Sequence, residues 1–566
     1  MPAENAGRAF SVVLVDELAR QGVRHAVIAP GSRSTPIALA LLENRHIAVH
    51  VRIDERSAAY LALGIAKASG SIVPVLCTSG TATSYFHGAV MEADLSCVPL
   101  LALTADRPPE LHGIGANQTV EQRGLYGSAV RWAPVIETPA AHPDSVEAWR
   151  TLVAEAAVRC QGLALHPPGP VHLNLPLREP LTPTDDGIGF PYDLGLGAEP
   201  QPAAAQERTT DSTAELQARL AGVRRGIVVL GDLGGRPATP ALAFAERLRW
   251  PIIAEPHSRG RHGPMALRST DGLLRDEAFT SEHRPDLVVV VRRVGLSRAL
   301  LDWLSTVPHI VVSPDGGRWD PTRSAAAVID CPLEALADVA VEPADPSWSA
   351  AWRDASNRVS AAIDAVLDSS AALTEPQVAR DVSALVPAGT ALVVSSSMPI
   401  RDLDLVMQPR SDIAIYANRG VSGIDGFVST AQGIALGRDP AGPTVALCGD
   451  LSLLHDINGL LPGPDARPDV TYVVINNDGG GIFSLLPQGS LVNPAAFERL
   501  FGTPHGISVD RLAAAYDVDY KLVATTDELA EALSTYDGVR IIEVRTDRRE
   551  NTELHARLRA VTARTA

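Results

Sequence analysis

The chain has 566 residues, 46% hydrophobic and 20% charged, enough for about three domains of roughly 100–200 residues each. A net charge of −17 argues against nonspecific binding to nucleic acid or an anionic membrane. Only Lys67 and Lys521 are lysines, the other 47 basic residues are arginines, and no Gly-Lys pair occurs; this disfavours Schiff-base enzymes and P-loop NTPases.

In chain order, an amphipathic run Ala6–Gly22 leads to an apolar strand at His25–Ala29 and a loop at Pro30–Ser34. A helix at Pro36–Asn44, a strand at Ile47–Val51 and a helix at Glu55–Ser69 follow. Strands are predicted at Ile72–Cys77 and Leu100–Thr104, with Thr81–Leu95 helical between them. Pro180 to Ser212 is rich in Pro, Gly, Asp and Thr without periodicity and reads as a linker. A second block carries strands at Gly226–Leu230, Pro251–Ala254, Leu287–Val291 and His309–Val312, and a further Pro/Asp/Ser stretch spans Pro343–Ser349. The third block opens with a helix at Ser349–Leu367, followed by strands at Ala391–Val394, Ile413–Tyr416, Thr444–Cys448, Val470–Ile475 and Arg540–Val544. Short apolar runs alternating with helices predict an α/β chain of three doubly wound parallel-sheet domains, at 1–182, 213–342 and 349–566. In such sheets ligands gather at the carboxyl ends of the strands. Five scattered cysteines form no CxxC, and neither a signal-like N-terminus nor an apolar run of about 18 residues occurs, so the expectation is a cytoplasmic protein without a membrane span.

Two strand ends carry the strongest chemical signal. Gly449-Asp450-Leu451 ends one strand, and Asn476-Asn477 ends the next, followed by Gly479, Gly480 and Gly481. Asp450 offers an anionic oxygen, Asn477 an amide oxygen and Gly479 a backbone carbonyl, a hard-oxygen set suited to Mg²⁺ (or Mn²⁺) with phosphate and water in the remaining positions. Gly449 and the glycine run permit close approach of a diphosphate. A Gly-Asp alone is an ordinary turn; the Asn-Asn pair on a second strand points to a site.

This spacing resembles the thiamine-diphosphate-binding motif, although Leu451 stands where that family usually has a glycine. The resemblance implies a glutamate on the aminopyrimidine N1′, and Glu55, at a strand-to-helix passage, is the candidate; taken alone, Asp54 and Glu55 read rather as a favourable helix N-terminus. Further motifs occur in order: PGSRS at 30–34, RIDERS at 52–57, TSGT at 78–81, TADRP at 104–108 and GANQT at 115–119. They continue with PLREP at 176–180, NRGVSGIDG at 418–426 and NNDGGGIF at 476–483. The set looks like the 2-succinyl-5-enolpyruvyl-6-hydroxy-3-cyclohexene-1-carboxylate synthase family of menaquinone biosynthesis, over nearly the whole chain and most weakly in the middle.

The resemblance implies a transferase that joins 2-oxoglutarate to isochorismate with loss of CO₂, the cofactor acting as electron sink. It implies at least a homodimer with active sites at the subunit interface, a tetramer remaining open. Both substrates are dicarboxylates, which planar arginine forks suit. Carried over motif by motif, the implied catalytic residues are Glu55, Arg33, Gln118 and Arg401. Ser32, Arg33, Arg107, Asn117, Gln118, Arg298, Ser397, Arg401 and Arg419 would contact substrate. Pro30, Gly31, Glu55, Ser397, Ile424, Gly449, Asp450, Leu451, Ser452, Asn477, Gly479, Gly480, Ile482 and Phe483 would contact thiamine diphosphate, and Asp450, Asn477 and Gly479 the metal. Ile424 would hold the cofactor bent; a core isoleucine is the alternative, as plain packing is for Ile482 and Phe483. Ser297 stands where some relatives have a basic residue beside Arg298. His87 and His112 read as structural, and Gly231–Gly235 lacks dinucleotide spacing, although related middle domains bind flavin. The rivals are an acetohydroxyacid synthase or 2-oxoacid decarboxylase, and a noncatalytic binding protein, against which Glu55 argues.

Overall fold

A computed structural model describes residues 6–162, 167–182, 192–197, 212–370, 372–461, 463 and 467–563. Most of the linker expected at Pro180–Ser212 lies outside them. Among the described residues, sixteen strands form three sheets in which every paired ladder is parallel. The first has β1 (His25–Ile28), β2 (Ala48–Val51), β3 (Val73–Cys77), β4 (Leu100–Asp106) and β5 (Val171–Pro176), in the order β2-β1-β3-β4-β5. The second has β6 (Gly226–Leu230), β7 (Ile252–Ala254), β8 (Leu287–Val291), β9 (His309–Ser313) and β10 (Val328–Asp330), ordered β10-β9-β8-β6-β7. The third has β11 (Ala391–Val394), β12 (Ala414–Tyr416), β13 (Thr444–Gly449), β14 (Val470–Asn476), β15 (Asp519–Val523) and β16 (Val539–Arg545), ordered β12-β11-β13-β14-β16-β15. In each sheet the first strand lies between the second and third, so the direction of winding reverses there and opens a crevice at the strands' carboxyl ends. No described helix is long and apolar enough to cross a membrane.

By compactness the chain forms two units. One comprises 1–207, 425–441 and 455–468. Its sheet is covered on both faces: Ile28, Leu101 and Leu103 pack into one apolar cluster, Val27, Leu100 and Ala102 into another, the two-residue alternation of a strand buried on both sides. The helix Glu55–Ser69 crosses the helix Phe427–Gly437 at glycines: a Cβ on Gly64 would lie 2.3 Å from the Thr430 carbonyl oxygen, and one on Gly433 2.2 Å from that of Leu61. Asp54 caps the Glu55 helix, accepting from the N–H groups of Arg56 at 2.9 Å and Ser57 at 3.2 Å. Asn458 donates to the other Asp54 oxygen at 2.9 Å, and fully buried Asp456 accepts from Ser57 Oγ at 3.2 Å and Ser429 N–H at 2.7 Å. The start of this helix is therefore tied down from several sides.

The predicted helix Thr81–Leu95 divides into a 3₁₀ stretch, Gly80–Phe86, and an α-helix, His87–Ser96. Thr83 and Ser84 hydroxyls donate to carbonyls three residues back, each at 2.7 Å, which favours the tighter turn. β5 escapes sequence patterning because it carries His172 and Asn174; both are buried, His172 2.7 Å from Thr104 Oγ1 and Asn174 accepting from that hydroxyl at 2.9 Å. Pro346, inside the Pro/Asp/Ser stretch Pro343–Ser349, is the first residue of the helix Pro346–Asp368, capped by Asp345.

The second unit, 208–424, 442–454 and 469–566, holds the other two sheets around one apolar cluster that includes Trp250, Trp303, Trp348 and Trp352. Buried Arg292 donates to buried Asp315 at 2.6 Å, and Arg261 is bonded to Asp404. Glu255, after β7, accepts from Gly295 N–H at 2.8 Å and Leu296 N–H at 2.7 Å. Burial pushes its carboxyl up to about 7, Asp404 adding to the rise and Arg419 opposing it. The unfolded chain would ionise it near the ordinary glutamate value, so its contribution is full below that pH and is lost as pH rises through about 7. Glu255→Gln, which keeps the acceptor oxygen, is expected to flatten this dependence: wild-type stability relative to the variant should fall by about 3 kcal/mol between pH 4.5 and 8. Melting midpoints of both proteins across that range check this, and parallel curves would refute it.

Candidate active site

At the carboxyl edge of the first sheet, Gly31 lies so close to Thr78 that a Cβ would sit 2.3 Å from the threonine Cβ, which requires glycine. Arg33, 7% exposed, donates its backbone N–H to Thr78 Oγ1 at 3.3 Å. Its guanidinium donates to the Leu177 carbonyl at 3.0 Å and pairs with Glu179 at 3.2 Å, while buried Nε has no partner among the described residues. Burial lowers the pKa of Arg33 and the nearby Arg107 charge lowers it further, with Glu179 and Asp106 opposing. Arg107 donates to Ser79 Oγ, and Gln118, held at φ 54°, donates to the Ser79 carbonyl at 2.8 Å. Pro30, Ser32 and Asn117 are exposed on the same loops. Beneath them Asn174 donates to buried Asp106 at 2.7 Å, and Gln122 donates to Asn174 at 2.8 Å. His112 lies 3.0 Å from the Arg107 carbonyl and His87 packs edge-on against Tyr126.

Glu55 is half-buried, and its carboxylate makes no hydrogen bond or ion pair among the described residues. Its charge reaches Cys77, whose thiol is raised by burial first and by Glu55 second.

In the second unit, a cavity of about 160 Å³ is lined by Ser397, Ile424, Gly449, Asp450, Leu451, Ser452, Asn477, Gly479, Gly480, Ile482 and Phe483. Ser396, Met398 and Glu375 complete much of its wall. Ser397 sits at φ 75°, ψ −131°, a strained conformation for a residue with a Cβ and one that concentrates at functional sites. Asp450, 2% exposed, accepts from Gly479 N–H at 2.8 Å, Leu451 N–H at 2.7 Å and His505 at 3.1 Å. His505 Nδ1 accepts from Ile507 N–H at 3.0 Å, so Nε2 carries the proton that Asp450 receives. Burial raises the Asp450 carboxyl despite these donors. Asn477 Oδ1 is buried with no hydrogen-bond partner among the described residues.

These features fit thiamine diphosphate with a hard cation. An unsatisfied amide oxygen beside a buried carboxylate suits the cation, and no described cluster of three or more His, Cys, Asp or Glu competes as a metal site. Gly479 stands at φ 136°, and a Cβ there would lie 1.9 Å from the Gly502 carbonyl oxygen, so the position requires glycine.

A second cavity of about 500 Å³ shares Met398 and Ile482 with the first and is lined by Arg275, Arg298, Arg401 and Arg559 together with Asp271, Asp402 and His555. Arg401, an exposed side chain, donates to the Ser397 carbonyl at 2.8 Å, and partial desolvation lowers its pKa. Arg419, 9% exposed, donates to Ser396 Oγ at 3.1 Å. Arg298, like Arg275, Arg401 and Arg559, is exposed; its side chain is 82% exposed and its head group is 3.0 Å from Asp302 one helical turn on. Ser297 caps that helix, accepting from Leu300 N–H at 3.1 Å, so a structural duty accounts for the serine.

Sequence reading missed Glu375, Ser396, His505, His555 and Arg559. Thr374-Glu375-Pro376 reads only as a helix start, with Thr374 as its cap. His505 lies 55 residues from its partner Asp450, and no spacing rule connects them.

Three stretches match family descriptions: 8–125 "Thiamine pyrophosphate enzyme, N-terminal TPP binding domain", 199–394 "Middle domain of thiamine pyrophosphate", and 406–544 "Thiamine pyrophosphate enzyme, C-terminal TPP binding domain". A 2-succinyl-5-enolpyruvyl-6-hydroxy-3-cyclohexene-1-carboxylate synthase of Thermobifida fusca is 48% identical over 99% of each chain. The enzymes of that name from Saccharopolyspora erythraea and Bacillus velezensis are 43% and 38% identical, covering 98% and 96% of this chain and 98% and 95% of their own. The fold is similar to that of benzoylformate decarboxylase from Polynucleobacter necessarius, with a TM-score of 0.70 at 20% identity over 97% of this chain and 99% of that one. With this identity along almost its full length and a site that fits the cofactor, the chain belongs to the 2-succinyl-5-enolpyruvyl-6-hydroxy-3-cyclohexene-1-carboxylate synthase family of thiamine-diphosphate enzymes.

Proposed function

We propose that the protein adds 2-oxoglutarate to isochorismate with loss of CO₂, giving 2-succinyl-5-enolpyruvyl-6-hydroxy-3-cyclohexene-1-carboxylate for menaquinone biosynthesis. The observation that carries this reading is the pairing of adjacent cavities: one with an amide oxygen that has no partner among the described residues, beside buried Asp450, the other edged by four arginines. Thiamine diphosphate, when bound, supplies the electron sink for decarboxylation. Asp450, Asn477 Oδ1 and the Gly479 carbonyl would hold Mg²⁺ (or Mn²⁺), with Gly449, Leu451, Ser452 and Gly480 around the diphosphate. Ile424, Ile482, Phe483 and Ser397 would wall the thiazolium, with Pro30 and Gly31 at the pyrimidine end. Glu55 would hold the proton at the aminopyrimidine N1′. Ser32, Arg33, Arg107, Asn117, Gln118, Arg401 and Arg419 would orient the carboxylates, with Arg298 at the cavity rim.

The functional domains in this reading are 1–182, 213–342 and 349–566, one sheet in each. The assembly is a homodimer at least, its active sites at the subunit interface. All five cysteines are buried thiols, which fits the reducing cytoplasm.

The test is cofactor-dependent CO₂ release from 2-oxoglutarate, with and without isochorismate. Formation of the joined product only when both substrates are present is expected. Preference for pyruvate would move the assignment to an acetohydroxyacid synthase or a simple decarboxylase.

A further inference from the structure

Glu375 opens the helix Glu375–Leu385, is 2% exposed and lines the cavity that contains Asp450. Its Oε1 accepts Nδ2 of Asn477 at 2.8 Å and the hydroxyl of Thr546 at 3.1 Å. The other end of the Asn477 amide, Oδ1, is the buried oxygen without a partner among the described residues. An amide side chain has a donor end and an acceptor end of nearly equal size, and a half-turn about its last torsion exchanges them. Only the neighbours decide which end faces inward. An acceptor at Glu375 Oε1 captures the NH₂ end and leaves the oxygen directed elsewhere. The preceding residue shows the same device completed: Asn476 donates Nδ2 to fully buried Glu543 at 2.6 Å, but its Oδ1 is satisfied by Asp478 N–H at 3.1 Å. Of the two neighbouring amides, Asn477 is the one whose oxygen is left for a ligand.

We propose that Glu375 is a positioning residue that selects the oxygen-inward orientation of Asn477 and so sets the affinity of the site for its divalent cation. This rests on the reading of Asp450 and Asn477 as the cation site. Without Glu375 the amide can turn its NH₂ toward the cation, replacing an attractive oxygen with a repulsive donor.

The test is a titration of the full-length protein with Mn²⁺, thiamine diphosphate saturating and no substrate, free Mn²⁺ being read by electron paramagnetic resonance. Glu375→Leu is expected to weaken Mn²⁺ binding by roughly 10- to 100-fold, the usual effect of losing a residue that orients a ligand. Glu375→Gln, whose amide oxygen can accept the same N–H, should stay within about threefold of wild type by the same reasoning. Asn477→Asp presents oxygen at both ends, so adding it to Glu375→Leu should recover about tenfold or more. Wild-type affinity in Glu375→Leu, no rescue by glutamine, or no recovery in the double variant would each overturn the proposal. Should Glu375→Leu not fold, Thr546→Val removes the hydroxyl that holds Glu375 and is expected to weaken Mn²⁺ binding about three- to tenfold; unchanged binding there also overturns it. Wild-type protein that takes up no Mn²⁺ would remove the cation site and this inference together, whereas normal wild-type uptake with an unaltered Glu375→Leu removes the inference alone.

Discussion

Glu55→Gln is expected to bind thiamine diphosphate about as well as wild type and to lose roughly 10²- to 10⁴-fold in turnover, the range for removal of a positioned acid or base. The structure separates the two roles a carboxylate at this point could have. Capping of the helix Glu55–Ser69 is carried by Asp54, which accepts from two backbone N–H groups and from Asn458. Glu55 itself has no hydrogen bond or ion pair among the described residues. Replacing its carboxylate by an amide therefore removes at most a helix-dipole contribution of about 0.3–1 kcal/mol, which should leave the fold intact. Glutamine keeps the shape and hydrogen-bonding capacity but cannot take up a proton. Cofactor binding by calorimetry, measured beside steady-state turnover, distinguishes the outcomes. Full turnover in the variant would eliminate Glu55 as the proton-holding group.

Arg419→Ala is expected to lower kcat/KM for 2-oxoglutarate by about 10- to 150-fold, the equivalent of one charge-assisted hydrogen bond of about 1.5–3 kcal/mol. Arg419 is almost buried, and its guanidinium is braced by Ser396 Oγ. Its backbone is held as well: Arg293 donates to the carbonyls of Arg419 and Gly420. A guanidinium so constrained loses little freedom on meeting a carboxylate, which is why its removal should weigh more than that of an exposed arginine. Arg298→Ala supplies the contrast. An exposed pair such as Arg298 with Asp302 contributes about 0.2–1 kcal/mol, so less than about a fivefold change in kcat/KM is expected. Cofactor retention should be the same in both variants. Unchanged 2-oxoglutarate kinetics in Arg419→Ala would discard the substrate clamp drawn here.

Much of the site could be read from residues because parallel strands deliver their last residues to one edge. Once Thr444–Gly449 and Val470–Asn476 were recognised as apolar runs, Asp450 and Asn477 had to emerge on the same side of a sheet. The loops after His25–Ile28 and Leu100–Asp106 bring Arg33 and Arg107 to the edge of theirs in the same way. Reading failed where polar residues sit inside strands, as His172 and Asn174 do in β5, because their apolar-like burial depends on hydrogen bonds with Thr104. It also gave no hint that Ser397 adopts a strained backbone, since nothing in Ser395-Ser396-Ser397 distinguishes the third serine from the others.

The sequence by itself determined the alternation of strands and helices, the strand-end placement of Asp450 and Asn477, and the family, because these follow from local periodicity and short motifs. The tertiary structure alone decided which polar atoms are satisfied and which face a ligand. Glu375 meets Asn477 across 102 residues of chain, and buried Arg419 meets Ser396 across 23. Hydrogen-bond satisfaction is a property of neighbours in space, and neighbours that distant along the chain leave no mark on the pattern of residues around any one of them.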